Sequence, residues 1–188
     1  MTPHPDYCYK TNINIDNAFK PDWVLPGAGN VNGVWTFNAQ QIFQSEWLDY
    51  MKNIGYPVEF VLVFYRPAGF QHASAHVDIT DKQVEVAALN WIIGGRDSVM
   101  KWYRGDQKDY ELRYTENRIP FVYIPFDRIT EQHSTNINGV VSLVRVDVPH
   151  AIFLDHEPRW CISLRNTQPR SSWEETVEFF KILNLLVD

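Results

Sequence analysis

The chain has 188 residues, of which 45% are hydrophobic and 21% charged, so its composition is that of one globular domain and excludes a disordered tail or a fibre. The formal net charge is -6, which argues against nucleic acid as a partner because phosphate contacts need clustered lysine and arginine. No apolar run is long enough to cross a bilayer, and the N-terminus lacks the basic and apolar regions of a signal peptide. We therefore expect a cytoplasmic protein without a membrane partner, in which Cys8 and Cys161 stay reduced.

Two helices are predicted, one on each side of a long strand-rich region. Residues 1–38 are rich in Asn, Pro and Gly and are typical of loops with short extended pieces. Apolar residues then recur at three- and four-residue spacing over 39–53, which predicts an amphipathic helix. The second helix is predicted over 172–187, where Ser172 and Glu175 have the spacing of a capping box.

The region between the helices has the pattern of short strands separated by turn residues. The predicted strands cover 58–66, 71–79, 84–93, 99–103, 111–114, 119–124, 139–147, 148–154 and 159–165. Short strands at a spacing of about ten residues, without helices between them, favour a sandwich or barrel over a parallel α/β sheet. We therefore predict a single domain over 1–188 of the mainly β (α+β) class, with a double-sheet jelly roll over about 58–165.

The strongest chemical signal is the segment His76-Val77-Asp78. Alternate side chains of a strand share a face, so His76 and Asp78 point the same way with their backbones about 7 Å apart. An imidazole and a carboxylate at that separation can reach one metal ion, although a simple His–Asp hydrogen bond would leave the same pattern. A third ligand can come from His150, near the start of a late strand; two histidines and one carboxylate form a non-haem iron site with open coordination positions.

Two arginines follow His150. If 148–154 and 159–165 form a hairpin, His150 lies opposite Ser163 and shares one face with Arg159 and Arg165, because cross-strand partners share a face. A buried arginine needs an anion. Arg159 lies about 13 Å along the strand from the level of His150, a gap that an arginine side chain and a five-carbon dicarboxylate can fill. Arg165 lies closer to the metal level and remains an alternative anchor.

The order His76-x-Asp78, then His150, then Arg159 nine residues later resembles the iron(II)- and 2-oxoglutarate-dependent oxygenase superfamily, with closest similarity to its prolyl-hydroxylase and phytanoyl-CoA-hydroxylase groups. The resemblance covers about 58–165. It implies a double-stranded β-helix, which is a cupin-like jelly-roll barrel. It also implies that His76, Asp78 and His150 bind Fe(II) and act in catalysis.

The same resemblance implies a site for 2-oxoglutarate as co-substrate. Its far carboxylate would pair with Arg159, assisted by Tyr65 and Ser163, with Arg165 as the rival anchor and Asn90 on a strand that lines the pocket. The implied reaction uses O2, decarboxylates 2-oxoglutarate to succinate and hydroxylates the substrate. Because a single domain leaves no separate substrate-binding unit, we expect a small molecule or an amino-acid or peptide side chain as substrate.

Two other classes of protein stay open. A cupin-type metalloenzyme that does not use 2-oxoglutarate would keep the three metal ligands but would have no use for an inward Arg159. A non-enzymatic jelly-roll binding module would need no such ligands, and its many aromatic residues would form the recognition surface.

Overall fold

Two antiparallel β-sheets form the framework of the protein in a computed structural model that describes residues 6–15, 17–27, 32–79, 84–115, 118–166, 168 and 170–187. The first five residues, on which the expectation of a chain without a signal peptide partly rests, lie outside these ranges. The protein is therefore mainly β, as its strand pattern predicts. Among the helices of the described ranges, none has the length and apolar character needed to cross a membrane.

The larger sheet has seven strands in the spatial order β13 (Leu186–Val187), β1 (Cys8–Thr11), β10 (Ser142–Arg145), β5 (Ala87–Gly94), β12 (Arg159–Asn166), β3 (Val58–Arg66) and β2 (Gly33–Asn38). The smaller sheet has six, in the order β7 (Glu111–Tyr114), β8 (Pro120–Ile124), β4 (Ala75–Asp78), β11 (His150–Phe153), β6 (Val99–Gly105) and β9 (Ile129–Thr135).

Eight of these strands form four antiparallel pairs, in which the first strand pairs with the last, the second with the next to last, and so on inward. The pairs are nested: β6 with β9, β5 with β10, β4 with β11, and β3 with β12. Successive pairs alternate between the smaller and the larger sheet. Strands that are distant in sequence are therefore neighbours within a sheet, and successive pairs face each other across the interior.

Apolar side chains form one layer between the sheets and another outside the larger sheet. The inner layer contains residues from both sheets, among them Ala88, Ile92, Met100, Trp102, Ile152, Leu154 and Cys161. The outer layer joins the sheet to the helices through residues such as Ile42, Phe43, Met51, Val63, Ile162, Leu164, Trp173 and Phe180. Ile162 and Leu164 thus point away from the face of β12 that carries Arg159 and Arg165.

The first predicted helix is two helices, α1 (Ala39–Ile42) and α2 (Ser45–Asn53). Phe43 and Gln44 between them are extended. Phe43 forms a β-bridge with Phe19, and the Gln44 side chain donates hydrogen bonds to the carbonyls of Asn17 and Phe19. These long-range contacts outweigh the local helical preference of the segment.

The last helix, α3, covers Trp173–Ile182 and ends earlier than predicted. Asn184 has a φ of 52°, and its amide donates to the carbonyl of Lys181 while the amide of Leu185 donates to that of Phe180. This is the Schellman arrangement that terminates helices. The residues after it form β13, which pairs with β1.

The strand predictions are largely confirmed, but the predicted hairpin of the two late strands is wrong. β11 pairs with β4 and β6, whereas β12 pairs with β3 and β5. β9 was not predicted, because this edge strand is mostly exposed and has a polar sequence. Cys8 and Cys161 are both buried thiols, as expected.

We expect Ser172→Ala to destabilise the protein by about 1 kcal/mol, because the Ser172 hydroxyl accepts a hydrogen bond from the amide of Glu175 at the start of α3 (3.1 Å). Urea denaturation measures the effect. Ser45→Ala is the matched control, since the Ser45 hydroxyl contacts only the exposed Glu46 carboxylate. Equal decreases in the free energy of unfolding of Ser172→Ala and Ser45→Ala would contradict the capping role of Ser172.

Candidate metal centre

Three side chains with metal-binding atoms meet on the inner face of the smaller sheet. His76 on β4 lies directly opposite His150 on β11, and Asp78 follows on the same face of β4. The Oδ1 atom of Asp78 lies 3.6 Å from the Nε2 atom of His76 and 3.8 Å from that of His150. The structure thus brings together the three residues that the sequence nominates.

Both histidines can present a lone pair to a metal. The Nδ1 atom of His150 lies 3.0 Å from the carbonyl oxygen of Val148; a carbonyl only accepts, so Nδ1 donates and the lone pair of the neutral imidazole is on Nε2. Burial and the neighbouring His150 lower the pKa of His76 to about 3, which keeps its imidazole neutral. Neutral imidazole is the form that coordinates metals.

Asp78 is held in the charged form that a metal ligand requires. Burial alone would raise the pKa of Asp78, but Arg165 and the two histidines lower it to about 2. The separation of 3.6 Å between Asp78 and His76 exceeds a hydrogen bond. The alternative of a simple His–Asp hydrogen bond therefore does not explain this arrangement.

The donor set fits a divalent transition metal. Two imidazole nitrogens and one carboxylate oxygen, all within 4.8 Å of one another, match the facial arrangement of non-haem iron sites, which leaves further positions open. With bonds of about 2.1 Å, neighbouring ligand atoms of a six-coordinate ion lie about 3 Å apart. A small inward movement of the side chains reaches that geometry.

A second group of metal-binding residues, Asp97, Asp155 and His156, lies at the surface. The carboxylate of Asp97 already accepts a hydrogen bond from the amide of His156 (2.6 Å) and lies 3.2 Å from its Nδ1 atom. These contacts join two surface loops, and His156 is exposed as its predicted turn position implies.

Arg165 belongs to the metal centre and is buried, with 3% of its surface exposed. Its Nη2 atom donates to the Oδ2 atom of Asp78 (2.9 Å), and its Nη1 atom contacts the carboxylate of Glu85. This leaves Oδ1 of Asp78 turned to the histidines. Arg165 therefore orients the carboxylate of Asp78, and its guanidinium is already paired with two carboxylates.

Arg159, Ser163 and Asn90 lie on the inner face of the larger sheet, which faces the metal centre. Ser163 is directly opposite Asn90 on the neighbouring strand β5. The Nε atom of Arg159, the hydroxyl of Ser163 and the amide oxygen of Asn90 are all buried without a hydrogen-bond partner. Buried polar atoms without partners are rare in folded proteins and mark a place where a polar ligand can bind.

The structure corrects the expectation for Tyr65. This residue lies opposite Trp160 in the register of β3 and β12, and the two rings pack at 4.7 Å. Tyr65 therefore points to the outer face of the larger sheet, away from Arg159 and the metal centre. Its neighbour Arg66 takes the inward position opposite Arg159.

Two further residues of the site, Arg66 and Glu85, were not among the sequence candidates. Arg66 was visible only as the last residue of a predicted strand, and its inward direction depends on the register with β12. Glu85 lies before β5, where its amide donates to the carbonyl of Asp78 and its carboxylate contacts Arg165. Neither residue carries a local motif that separates it from an ordinary surface charge.

Comparisons with known proteins give little further information. No family model and no curated protein matches this chain. Two solved structures are similar: E. coli ycfD, with 12% identity and a TM-score of 0.42, and Peruvianin-I, a cysteine peptidase from Thevetia peruviana latex, with 11% identity and a TM-score of 0.34. The matches cover 94% and 90% of this chain, and 45% and 94% of those chains. At these values neither likeness assigns a family or a function, and this chain spans less than half of the first structure.

We expect His76→Ala to weaken binding of Mn²⁺ to chelator-treated protein by more than about a hundredfold, since even partners outside the ligand shell contribute about 10- to 100-fold. Calorimetric titration gives the affinity. His156→Ala removes an exposed histidine from the surface group and serves as the control with unchanged affinity. Tight Mn²⁺ binding by both variants would rule out the centre.

Replacing Arg165 by lysine should lower Mn²⁺ affinity about 10- to 100-fold. Lysine keeps the charge but lacks the planar fork that contacts Asp78 and Glu85 at once. The same calorimetric titration applies, and Arg128→Lys, which alters an exposed ion pair with Asp109, is the matched control. An unchanged affinity in Arg165→Lys would show that Arg165 does not orient the ligand.

Proposed function

We propose that the chain is a non-haem iron(II)- and 2-oxoglutarate-dependent oxygenase that hydroxylates a small molecule or an amino-acid or peptide side chain. One observation carries the proposal: a two-histidine, one-carboxylate group on the smaller sheet faces the buried Arg159 on the larger sheet, which has no carboxylate partner among the described residues. A metalloenzyme that did not use an anionic co-substrate would gain nothing from burying that arginine.

The nested strand pairs support a finer description of the fold. Alternation of successive strands between two facing antiparallel sheets is the arrangement of a double-sheet jelly roll. We therefore infer a double-stranded β-helix whose interior is the reaction chamber. The ligands from β4 and β11 lie on one wall, and Arg159 of β12 lies on the other.

The charges of the two arginines support different roles for them. Arg165 is paired with Asp78 and Glu85, so its charge is already balanced. Arg159 is equally buried and has no carboxylate partner among the residues that the structure describes. This favours Arg159 as the anchor for the far carboxylate of 2-oxoglutarate, with Ser163 and Asn90 lining the path to the metal.

When bound, iron(II) would supply the redox chemistry that couples decarboxylation of 2-oxoglutarate, giving succinate and CO2, to transfer of one atom of O2 to the substrate. His76, Asp78 and His150 would hold the metal and leave its other positions to the reactants. The inner apolar layer, with Trp102 directly beside His150 in the sheet register, keeps this side of the chamber dry.

Aromatic residues flank the metal centre on the side away from β11. Tyr123 and Phe121 of β8 lie opposite His76 and Asp78 and share their face of the sheet, and the Phe121 ring lies 6.4 Å from that of His76. Both are partly exposed. We propose that this part of β8 contacts the apolar portion of the substrate.

The proposal predicts succinate formation. Purified protein incubated with Fe²⁺, ascorbate, O2 and 2-oxoglutarate should release succinate even before its substrate is known, and Asp78→Ala should abolish this release because it removes the anionic ligand. Chromatography of the reaction measures succinate directly.

The alternatives give different results in the same experiment. Metal binding without any binding of 2-oxoglutarate would indicate a cupin-type enzyme of another kind. Absence of metal binding would leave a non-enzymatic binding module. Either outcome overturns the proposed function.

A further inference from the structure

Arg66 and Arg159 lie side by side on the inner face of the larger sheet. They are direct partners in the register of β3 and β12, so their backbones are about 5 Å apart. Arg159 is 3% exposed, and Arg66 is only partly exposed. The two positive charges are therefore close together in the interior, near the candidate metal centre but separate from it.

Neutral groups hold Arg66 in place. Its Nη1 atom donates to the carbonyls of Gly33 (3.2 Å) and Tyr65 (2.9 Å). Its guanidinium carbon lies 5.5 Å from the centre of the Phe64 ring and 5.1 Å from that of Phe70. The remaining nitrogens of the guanidinium are left to donate elsewhere.

No carboxylate balances the two charges within the part of the chain that the structure describes. Burial and the neighbouring Arg159 together lower the pKa of Arg66 to about 10. Cys161 interacts with Arg159, but burial raises the pKa of this thiol and keeps it neutral. His72, whose pKa burial lowers well below its ordinary value, is neutral as well.

Like charges directly opposite each other destabilise a sheet, and a buried charge without a partner costs several kcal/mol. A protein that keeps two such arginines together needs an anion there. A single carboxylate has two oxygens and can accept hydrogen bonds from two guanidinium groups at once.

We propose that Arg66 and Arg159 jointly bind one carboxylate, and that Arg66 thereby makes the site selective for a 2-oxo acid with a second carboxylate. The inference rests on the proposed function, because it takes this carboxylate to be the far end of 2-oxoglutarate. The resemblance to known oxygenases nominates Arg159 alone; Arg66 is assigned by the register and the missing counter-charge.

The anion site is tested first in metal-free protein with glutarate, a dicarboxylate that lacks the 2-oxo group. We expect glutarate to raise the melting temperature of the wild type, since a ligand that binds only the folded state stabilises it. Arg66→Gln should weaken glutarate binding about ten- to a hundredfold, the contribution of hydrogen bonds to a charged group. Arg66→Lys keeps the charge, and its affinity for glutarate should lie between that of the wild type and that of Arg66→Gln.

Arg104→Gln is the matched control, because it removes an exposed arginine from β6 and should leave glutarate binding unchanged. Without ligand, the melting temperature of Arg66→Gln should lie within a few degrees of that of the wild type. The loss of the hydrogen bonds to the carbonyls is offset by relief of the repulsion from Arg159. Failure of glutarate to stabilise the wild type, or equal binding by wild type and Arg66→Gln, overturns the inference.

The metal-loaded protein separates this inference from the proposed function. Calorimetry should show that Arg66→Gln weakens binding of 2-oxoglutarate but not of 2-oxobutyrate, which has no second carboxylate. Equal weakening for both ligands would contradict a role at the far carboxylate. If glutarate binding depends on Arg66 but 2-oxoglutarate neither binds the metal-loaded protein nor yields succinate, the anion site stands and the proposed function fails.

Discussion

The ion pair between Asp78 and Arg165 is the interaction on which the rest of the site depends. It joins β4 of the smaller sheet to β12 of the larger sheet across the interior. Removing one partner of a buried ion pair costs about 3–5 kcal/mol, because the other charge is left uncompensated. Glu85 adds a second carboxylate to Arg165, and burial raises the pKa of Glu85. The surplus of negative charge at this point suits a divalent cation.

Charge is separated along the interior in a way that orients a ligand. Asp78 and Glu85 surround Arg165 at one level, whereas Arg66 and Arg159 stand together at another. An elongated molecule with a metal-binding end and an anionic end can fit these levels in only one direction. The net charge of the chain is no guide to this arrangement, because both charge groups are local and buried.

The sequence allowed prediction of those parts of the site that depend on local geometry. His76 and Asp78 share a face because of the two-residue period of a strand, and the inward set of β12 follows from the same period. The resemblance alone nominated Tyr65, whereas only the register with β12 shows that Arg66, and not Tyr65, points inward. The two late strands seemed to form a hairpin because four residues join them, yet each pairs with an earlier strand. His150 and Arg159 still face one interior, because the two sheets stack face to face.

The nested pairing also determines the order in which the chain can close. The innermost pair, β6 with β9, joins segments close in sequence, whereas β3 and β12 lie at the two ends of the nested region. Loop-closure entropy favours short-range contacts first and makes long-range strand pairing slow. Both histidines meet only when β4 reaches β11, late in this sequence. A metal ion bound there would therefore stabilise a pairing that forms after the inner ones, and it would not assist those earlier steps of folding.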